Sequence, residues 1–258
     1  MPRLLVTGAN GQLGRELLAR GRQRGWAVLG RTRLDHDIGE PDAVRRAVAE
    51  AGADVVVNAA AYTAVDQAEQ EPERAFAVNA AGPGHLATAC AAHGLPLLHV
   101  STDYVFDGTM HGAYREDDPV APINVYGASK EAGERAVREA LHAHVILRTS
   151  WVYSAHGRNF VLTMRQLAAE RDTLNVVADQ HGSPTSAGDL AEALLEVASG
   201  LARGATGHGT FHYAGRGVTS WHGFATAVME QCLAPGQPRP TLVPIATAAF
   251  PRPAPRPA

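Results

Sequence analysis

Tyr126 and Lys130 are the residues whose types and spacing point most directly to chemistry, because they lie four positions apart. That spacing places both side chains on the same face of a helix. A nearby ammonium stabilises a phenolate, so the pair favours a tyrosine that exchanges a proton near neutral pH. Such a tyrosine could deliver a proton to a ketone oxygen while a hydride reaches the carbon. The pair therefore predicts a reductase active site.

Lys130 is the only lysine among the 23 lysine and arginine residues of the chain. Lysine is a compact charge on a flexible stem that reaches a ribose hydroxyl, whereas arginine is a wide planar fork. Codon bias toward arginine would also leave an occasional lysine by chance, so composition alone leaves both explanations open. Thr102 follows a strand-like segment, and its hydroxyl could complete a hydrogen-bond set around the substrate oxygen. We predict Tyr126, Lys130 and Thr102 as the catalytic residues.

A glycine-rich loop with the spacing G-x-x-G-x-x-G follows the first strand-like segment, at Gly8, Gly11 and Gly14. Glycines allow a tight turn, close approach of the backbone to a pyrophosphate and close packing of helix on strand. The helix that follows offers free N–H groups and a positive dipole end. Three incidental turn glycines are the alternative, which the strand–loop–helix context disfavours. The predicted cofactor-binding residues of this loop are Gly8, Asn10, Gly11, Gln12, Leu13 and Gly14.

The second strand-like segment ends in Arg31 and Arg33, where an acid would bind the ribose of NAD. An arginine there can accept a 2′-phosphate, so we predict NADPH as the cofactor, with NADH as the alternative. Both arginines could also be ordinary solvated residues. Asp37 and Ile38 come next and are expected to flank the adenine. Small side chains after the third strand would let the cofactor lie against the backbone, although a packing surface would look the same. They add the cofactor-binding residues Ala60, Ala61, Tyr62 and Thr63.

The sequence supplies a scaffold for these residues, because strand-like and helix-like stretches alternate along it. Continuous apolar strands between helices indicate a parallel sheet covered on both faces. The right-handed crossover rule then predicts an α/β fold with a Rossmann-type doubly wound parallel sheet. The expected strands are 4–6, 27–29, 54–58, 97–101 and 145–148. The expected helices are 12–24, 41–51, 72–93 and 126–142.

We expect residues 1–150 to form the dinucleotide-binding domain. Residues 151–250 should form a smaller C-terminal substrate-binding lobe interleaved with it. The elements assigned to that lobe are helices near 159–171 and 189–201, strands near 174–177 and 210–213, and a helix from 219. Residues 251–258 alternate proline with arginine and alanine, and are expected to form neither helix nor central strand. The chain is expected to be truncated there.

Composition argues against several classes of function. The formal net charge is −3, and no run of basic residues suggests a nucleic-acid partner. No apolar stretch approaches membrane-spanning length, and no signal peptide precedes the first strand. Cys90 and Cys232 lie far apart without metal-ligand spacing, which predicts a reduced, cytoplasmic protein, although the two could form one bridge. The 12 histidines show no metal spacing either.

At Thr102, Tyr126 and Lys130 the chain resembles the short-chain dehydrogenase/reductase superfamily. Longer blocks resemble the dTDP-4-dehydrorhamnose reductases more specifically. They include Ser-Thr-Asp-Tyr-Val-Phe, Arg-Thr-Ser-Trp-Val-Tyr and Asp-Gln-His-Gly-Ser-Pro-Thr. The blocks that carry this resemblance are residues 58–66, 101–106, 124–127, 148–153 and 179–185.

The resemblance implies a role for each residue of the reacting set. Tyr126 would be the proton donor, Lys130 would bind the nicotinamide ribose and tune Tyr126, and Thr102 would assist the substrate oxygen. Asp103 and Trp151 would contact a sugar nucleotide. The implied reaction is NAD(P)H-dependent reduction of the 4-keto sugar to dTDP-L-rhamnose. Burial habits leave Trp151 open as a core aromatic, and Asp103 is equally suited to a turn.

Metal-using members of the family place acids at three positions around Mg²⁺ at a dimer interface. Glu16 matches one of them, Gly188 stands where the second acid would be, and the third lies in a C-terminal stretch that this sequence lacks. A hard cation needs several oxygen ligands, so we expect no Mg²⁺ site. The metal-bridged dimer is then also in doubt, which favours a monomer or a weak homodimer.

Two other functions compete with the reductase. A non-catalytic regulatory subunit of similar sequence would bind a dinucleotide without turnover, and the presence of Thr102, Tyr126 and Lys130 argues against it. A reductase or epimerase of another dTDP-deoxysugar would keep the same residues. The sequence separates that second alternative poorly, because the product depends on the pose of the substrate.

Overall fold

The computed structural model describes residues 1–110, 112–234, 236–237 and 239–257. A π-helical segment, Ala77–Ala81, joins the helix Pro72–Phe76 to the helix Gly82–His93. The α-helices are α1 Gln12–Gln23, α2 Pro41–Ala51, α3 Val65–Ala68, α4 Pro72–Phe76, α5 Gly82–His93, α6 Val125–Ala140, α7 Phe160–Glu170, α8 Ala187–Ala202 and α9 Trp221–Gln231. The strands are β1 Arg3–Thr7, β2 Ala27–Arg31, β3 Val55–Asn58, β4 Leu97–Thr102, β5 His144–Thr149, β6 Val152–Tyr153, β7 Thr173–Val177, β8 His181–Gly182, β9 Thr185–Ser186, β10 Gly209–His212, β11 Thr219–Ser220 and β12 Thr241–Ile245.

The main sheet has six strands in the order β10-β5-β4-β3-β1-β2, and every neighbouring pair is parallel. The chain runs from β1 outward to β2 and then crosses to β3 on the other side of β1. Strand order therefore reverses between β1 and β3, and open α/β sheets bind ligands in the crevice at such a point. The predicted Rossmann-type doubly wound sheet is confirmed.

Helices cover both faces of this sheet. Alternate residues of each strand point to opposite sides, so apolar side chains on both sides need to be buried. Leu4 and Val6 of β1 pack with α1 and α8 in one buried cluster. Leu5 packs with α2, α5 and α6 in a second cluster on the other face, which also buries the Cys90 side chain. Both faces of β1 are therefore buried, which explains why its sequence is continuously apolar.

Two elements of the predicted smaller lobe are in contact with the main sheet. Strand β10 pairs with β5 as the sixth strand, and α8 packs on the sheet against α1. A third buried cluster combines α7, α9 and β7, with β12 paired parallel to β7. The division of the chain at residue 150 stays a prediction. Within the described residues, no helix has the length and apolar character needed to cross a bilayer.

Candidate active site

The glycine-rich loop connects β1 to α1 at the point where strand order reverses. Gly8 has a φ of +72°, and a β-carbon there would lie 2.6 Å from the backbone of Ala59. A β-carbon at Gly14 would collide with the carbonyl oxygen of Gly8. Side chains at these two positions would therefore displace either β3 or the loop. The close packing places the start of α1 at the end of β1, where the first amides of the helix have no intrahelical acceptor and could bind a ligand.

Arg31 ends β2 beside this loop, and its carbonyl oxygen accepts from the backbone N–H of Ala9 at 3.0 Å. Its Nε is buried and has no hydrogen-bond partner among the described residues. Arg33 differs, because its Nε donates to Asp37 Oδ2 at 3.2 Å. Of the two arginines, Arg31 is thus the one whose Nε is buried and unpaired within the described residues.

The two residues expected to flank the adenine differ in exposure. Asp37 is half-buried, and its Oδ1 accepts from the backbone of Gly39 at 3.0 Å. Ile38 is only 4% exposed, and its side chain packs where a β-carbon of Gly82 would be. The aliphatic chain of Ile38 is therefore committed to the core, and its backbone is the part left for a ligand.

Two buried asparagines hold the small-residue run that follows β3. Asn58 Oδ1 accepts from the Thr7 hydroxyl at 2.7 Å and from the Ala60 amide at 3.1 Å. Asn79 Oδ1 accepts from the Tyr62 amide at 2.8 Å, and its Nδ2 donates to the Tyr62 carbonyl at 3.0 Å. Asn79 lies in the π-helical segment, a distortion that is frequent at functional sites. Its Nδ2 also donates to a serine of α6. Asn79 therefore links the small-residue run, where the cofactor is expected, to the helix that carries Tyr126.

Lys130 is 2% exposed on α6, four residues after Tyr126 as predicted. Its Nζ donates to the carbonyl oxygen of Val100 on β4 at 2.8 Å. Burial lowers the pKa of Lys130 to about 8, although the Glu134 carboxylate opposes the shift. Burial holds the pKa of the neighbouring His99 well below its ordinary value, and the Lys130 charge lowers it further. Lys130 is therefore a largely protonated amine at pH 7 in an environment that disfavours its charge.

The pKa of Tyr126 differs from our expectation. Burial raises it above the ordinary value of a phenol, and the Asp103 carboxylate raises it further, while a hydrogen bond with Thr102 lowers it. The ammonium of Lys130 is not among the groups that shift the pKa of the phenol, and it donates to the β4 backbone. The predicted lowering of the Tyr126 pKa by Lys130 is absent, and Tyr126 is a neutral phenol. That form still carries the proton that a ketone reduction requires.

A cavity of about 710 Å³ lies next to Tyr126, at the carboxyl ends of β4 and β5. Asp103 lines it, and the Tyr104 ring, also in the wall, meets the ring of Tyr126 edge-on at 5.5 Å. Thr102 Oγ1 donates to Asp103 Oδ1 at 3.0 Å. Burial raises the pKa of Asp103 to about 6. The predicted substrate residues thus adjoin a cavity of a size suited to a small-molecule ligand.

Trp151 both lines the cavity and packs against the third cluster. Its ring stacks on Trp221 with centroids 3.5 Å apart and planes 8° apart. Its φ is +45°, the one positive value among non-glycine residues that the structure describes. The indole of Trp221 donates to Gln180 Oε1 at 3.2 Å. Sequence analysis missed Trp221, because nothing in its local sequence separates it from a core residue of α9.

A buried ion pair forms part of the wall of the same cavity. Arg148 of β5 is 5% exposed and lines the cavity, and Glu134 of α6 is fully buried. Arg148 Nη2 donates to Glu134 Oε2 at 2.7 Å, and Nε donates to Oε1 at 3.0 Å. The guanidinium also lies 5.0 Å over the ring of Phe106. The bidentate pair ties the catalytic helix to the cavity wall, and sequence analysis did not predict it.

Known proteins of similar sequence and structure agree with the chemistry inferred from these residues. A family model described as the RmlD substrate binding domain matches residues 2–258. A dTDP-4-dehydrorhamnose reductase from Streptomyces griseus is 49% identical over 258 residues, which cover 99% of this chain and 84% of that protein. One from Mycobacterium tuberculosis is 48% identical, over 98% of this chain and 82% of that protein. A crystal structure of the Bacillus anthracis dTDP-4-dehydrorhamnose reductase in complex with NADP has a TM-score of 0.93 and 38% identity, over 99% of this chain and 88% of that chain. The chain belongs to the dTDP-4-dehydrorhamnose reductase family. The resemblance seen in the five sequence blocks is confirmed.

The residues at the expected metal position of the reductase family make an ion pair instead. Glu16 Oε2 accepts from Arg20 Nε at 3.0 Å. A β-carbon at Gly188 would collide with the Arg20 guanidinium, which also donates to Glu192 at 2.9 Å. Arginine thus provides the positive charge here, and these residues do not fit a divalent cation. The described part of the chain contains no group of three or more His, Cys, Asp and Glu side chains that could hold a metal ion.

Proposed function

We propose that this chain reduces the 4-keto group of dTDP-4-dehydro-L-rhamnose to give dTDP-L-rhamnose, using NADPH. One observation carries the proposal. The glycine-rich loop and the first turn of α6 both lie at the carboxyl edge of one parallel sheet, and the cavity lies at the carboxyl ends of β4 and β5 of the same sheet. That arrangement suits a dinucleotide on one side and a sugar nucleotide on the other. The relatives of known structure and sequence carry the same activity in their names.

The cofactor edge fits NADPH in three respects. Gly8 and Gly14 allow the tight packing that brings the glycine-rich loop to the start of α1, where a pyrophosphate would bind. Arg31 has a buried Nε that a 2′-phosphate could engage. Hydrogen bonds to Asn58 and Asn79 fix the backbone of the small-residue run after β3, on which the cofactor would lie. The bound cofactor would supply the hydride.

The remaining chemistry belongs to the side chains around the cavity. Tyr126 would donate its phenolic proton to the substrate O4, and Thr102 would hold the same oxygen through its hydroxyl. Lys130 would bind the nicotinamide ribose and, once its ammonium faces Tyr126, stabilise the phenolate that remains. Asp103 and Trp151 would fix the pose of the sugar. Together these roles account for each predicted site residue next to the cavity.

A direct assay tests this function. The protein is incubated with dTDP-4-dehydro-L-rhamnose and either NADPH or NADH, while the absorbance of the reduced nicotinamide is followed and the product is identified by mass and chromatography. We expect cofactor oxidation that depends on the sugar nucleotide and yields dTDP-L-rhamnose. Tight NADPH binding without turnover would instead support the non-catalytic alternative. A different deoxysugar product would support the second alternative.

Arg31→Ala should weaken NADPH binding by about 10–100-fold, the weight of a lost hydrogen bond to a charged group, and should change NADH binding little. The reason is that only NADPH carries the 2′-phosphate expected at the Arg31 guanidinium. Dissociation constants for both cofactors, measured by fluorescence titration, provide the check. Arg33→Ala is the matched control, because Arg33 is already paired with Asp37. Equal losses for the two cofactors would rule out a 2′-phosphate role.

The expectations about assembly and surroundings stay predictions. Arg20 in the expected metal position supports the proposal of a monomer or weak homodimer, because no cation would bridge two copies there. Within the described residues, both Cys90 and Cys232 are free thiols, which agrees with a reduced, cytoplasmic protein.

A further inference from the structure

The segment Arg252–Pro257, which we call the tail, packs against α3 although it forms neither helix nor strand. Ala254 is 1% exposed, and its backbone N–H lies 3.4 Å from Asp66 Oδ1. The same Asp66 carboxylate accepts from Arg256 Nη2 at 2.9 Å and from Arg252 Nη1 at 3.3 Å. One carboxylate on α3 therefore accepts hydrogen bonds from both arginines and from a backbone amide of the tail.

The tail also bonds to the first turn of the catalytic helix α6. Asn124 caps that helix, because its Oδ1 accepts from the backbone of Gly127 at 2.7 Å. The Nδ2 of the same side chain donates to the carbonyl oxygen of Pro255 at 2.8 Å. Glu69, directly after α3, accepts from the backbone of Val125 at 2.9 Å. Hydrogen bonds thus join the tail to α3, the tail to the start of α6, and the end of α3 to the start of α6.

This turn of α6 is the one that carries Tyr126. Gly127 packs so closely on the backbone of Tyr104 that a β-carbon would collide with its carbonyl oxygen. The Tyr104 ring in turn meets Tyr126 edge-on. Pro257, near the end of the tail, lines the substrate cavity together with Tyr104. A shift of the tail would therefore move the proton donor and the cavity wall at the same time.

We propose that the tail is a positioning strap, through which Asp66 and Asn124 fix the Tyr126 turn and close the substrate cavity. Neither residue touches the reacting atoms, so both are positioning residues. The proposal rests on the proposed function for its kinetic consequences. Its structural content, a first turn of α6 held by the tail, is independent of which substrate the cavity takes.

Two isosteric variants remove the contacts of the strap. Asp66→Asn removes the charge that holds Arg252 and Arg256. Asn124→Asp keeps the helix cap but loses the amide that donates to Pro255. We expect each to lower kcat/KM for the sugar nucleotide by about 5–30-fold, the factor for losing one or two such hydrogen bonds, while the NADPH dissociation constant stays unchanged. Asp42→Asn is the matched control, because it removes an exposed ion pair with Arg45 on α2.

Hydrogen exchange gives a readout that does not need activity. The backbone amides of residues 125–128 should exchange faster in Asp66→Asn than in Asp42→Asn, because the first turn of α6 is then less constrained. Adding Arg252→Gln and Arg256→Gln to Asp66→Asn should cause no further loss if Asp66 acts through the tail. Unchanged exchange and unchanged kinetics in Asp66→Asn would overturn the strap. An unmodified chain without reductase activity would overturn the proposed function, and the exchange result would still decide the strap.

Discussion

Replacing Tyr126 with phenylalanine should lower kcat by about 10²–10⁴-fold, the usual contribution of a positioned general acid. The variant loses only the hydroxyl, so the T-shaped packing on Tyr104 and the fold should survive. Because the glycine-rich loop and Arg31 are untouched, the NADPH dissociation constant should change little. Steady-state kinetics on the sugar nucleotide, together with a fluorescence titration of the cofactor, measure both quantities.

Tyr153→Phe is the control for this substitution. Tyr153 is half-buried in the third cluster and does not line the cavity. Removing its hydroxyl should leave kcat near that of the unmodified chain. Full activity in Tyr126→Phe would show that the proton reaches the ketone from another group. Asp103, with its pKa of about 6, would then be the first residue to test.

Glu134→Gln should lower the free energy of unfolding by about 3–5 kcal/mol, the range observed when one partner of a buried ion pair is removed. The change leaves the Arg148 guanidinium charged, 5% exposed and without its carboxylate partner. Chemical denaturation of both proteins under identical conditions measures the loss. Glu196→Gln is the matched control, because its pair with Arg24 is exposed on α8. We expect that control to change stability by only about 0–1 kcal/mol.

A double variant separates two contributions to the free energy of unfolding: the penalty of burying an unpaired charge and the net contribution of the ion pair. Glu134→Gln combined with Arg148→Met should be more stable than Glu134→Gln alone, because no unpaired charge stays buried. A loss in Glu134→Gln no larger than that of the exposed control would contradict the buried pair. The same denaturation experiment on four proteins covers both comparisons.

Local patterns along the chain predicted the elements that position the site. The apolar run of β1, the glycine spacing after it and the Tyr126–Lys130 interval each specify a local geometry, and each is found as expected. Such local patterns predict structure well because they reflect the conformation required of the backbone at that position, such as the positive φ of Gly8. The placement of β10 did not follow in this way. Three of its four residues are partly buried, Phe211 is exposed, and the partner strand β5 is distant in sequence, so the strand signal carried no information about which sheet it joins.

Long-range polar contacts were the part that sequence could not supply. Glu134 and Arg148 look like ordinary surface charges, and only the folded chain brings them together in the interior. The tail lacks regular structure, as its proline content predicts. No local pattern indicates that Asp66, 186 positions before Arg252, binds it. The pKa of Tyr126 was misjudged for a related reason. Spacing on a helix places Lys130 nearby, but it does not reveal that the ammonium will donate to Val100 instead.

The stacked indoles of Trp151 and Trp221 give the molecule an optical probe of its own. The chain has three tryptophans, and Trp26 packs against the first cluster, away from the cavity wall. Two indoles at van der Waals contact couple their electronic transitions, so their near-ultraviolet ellipticity depends on the angle between the rings. Any ligand that slides between them or tilts one of them alters that signal. We therefore expect a cavity ligand that changes the angle between these two rings to be detectable by circular dichroism, without a label and without catalysis.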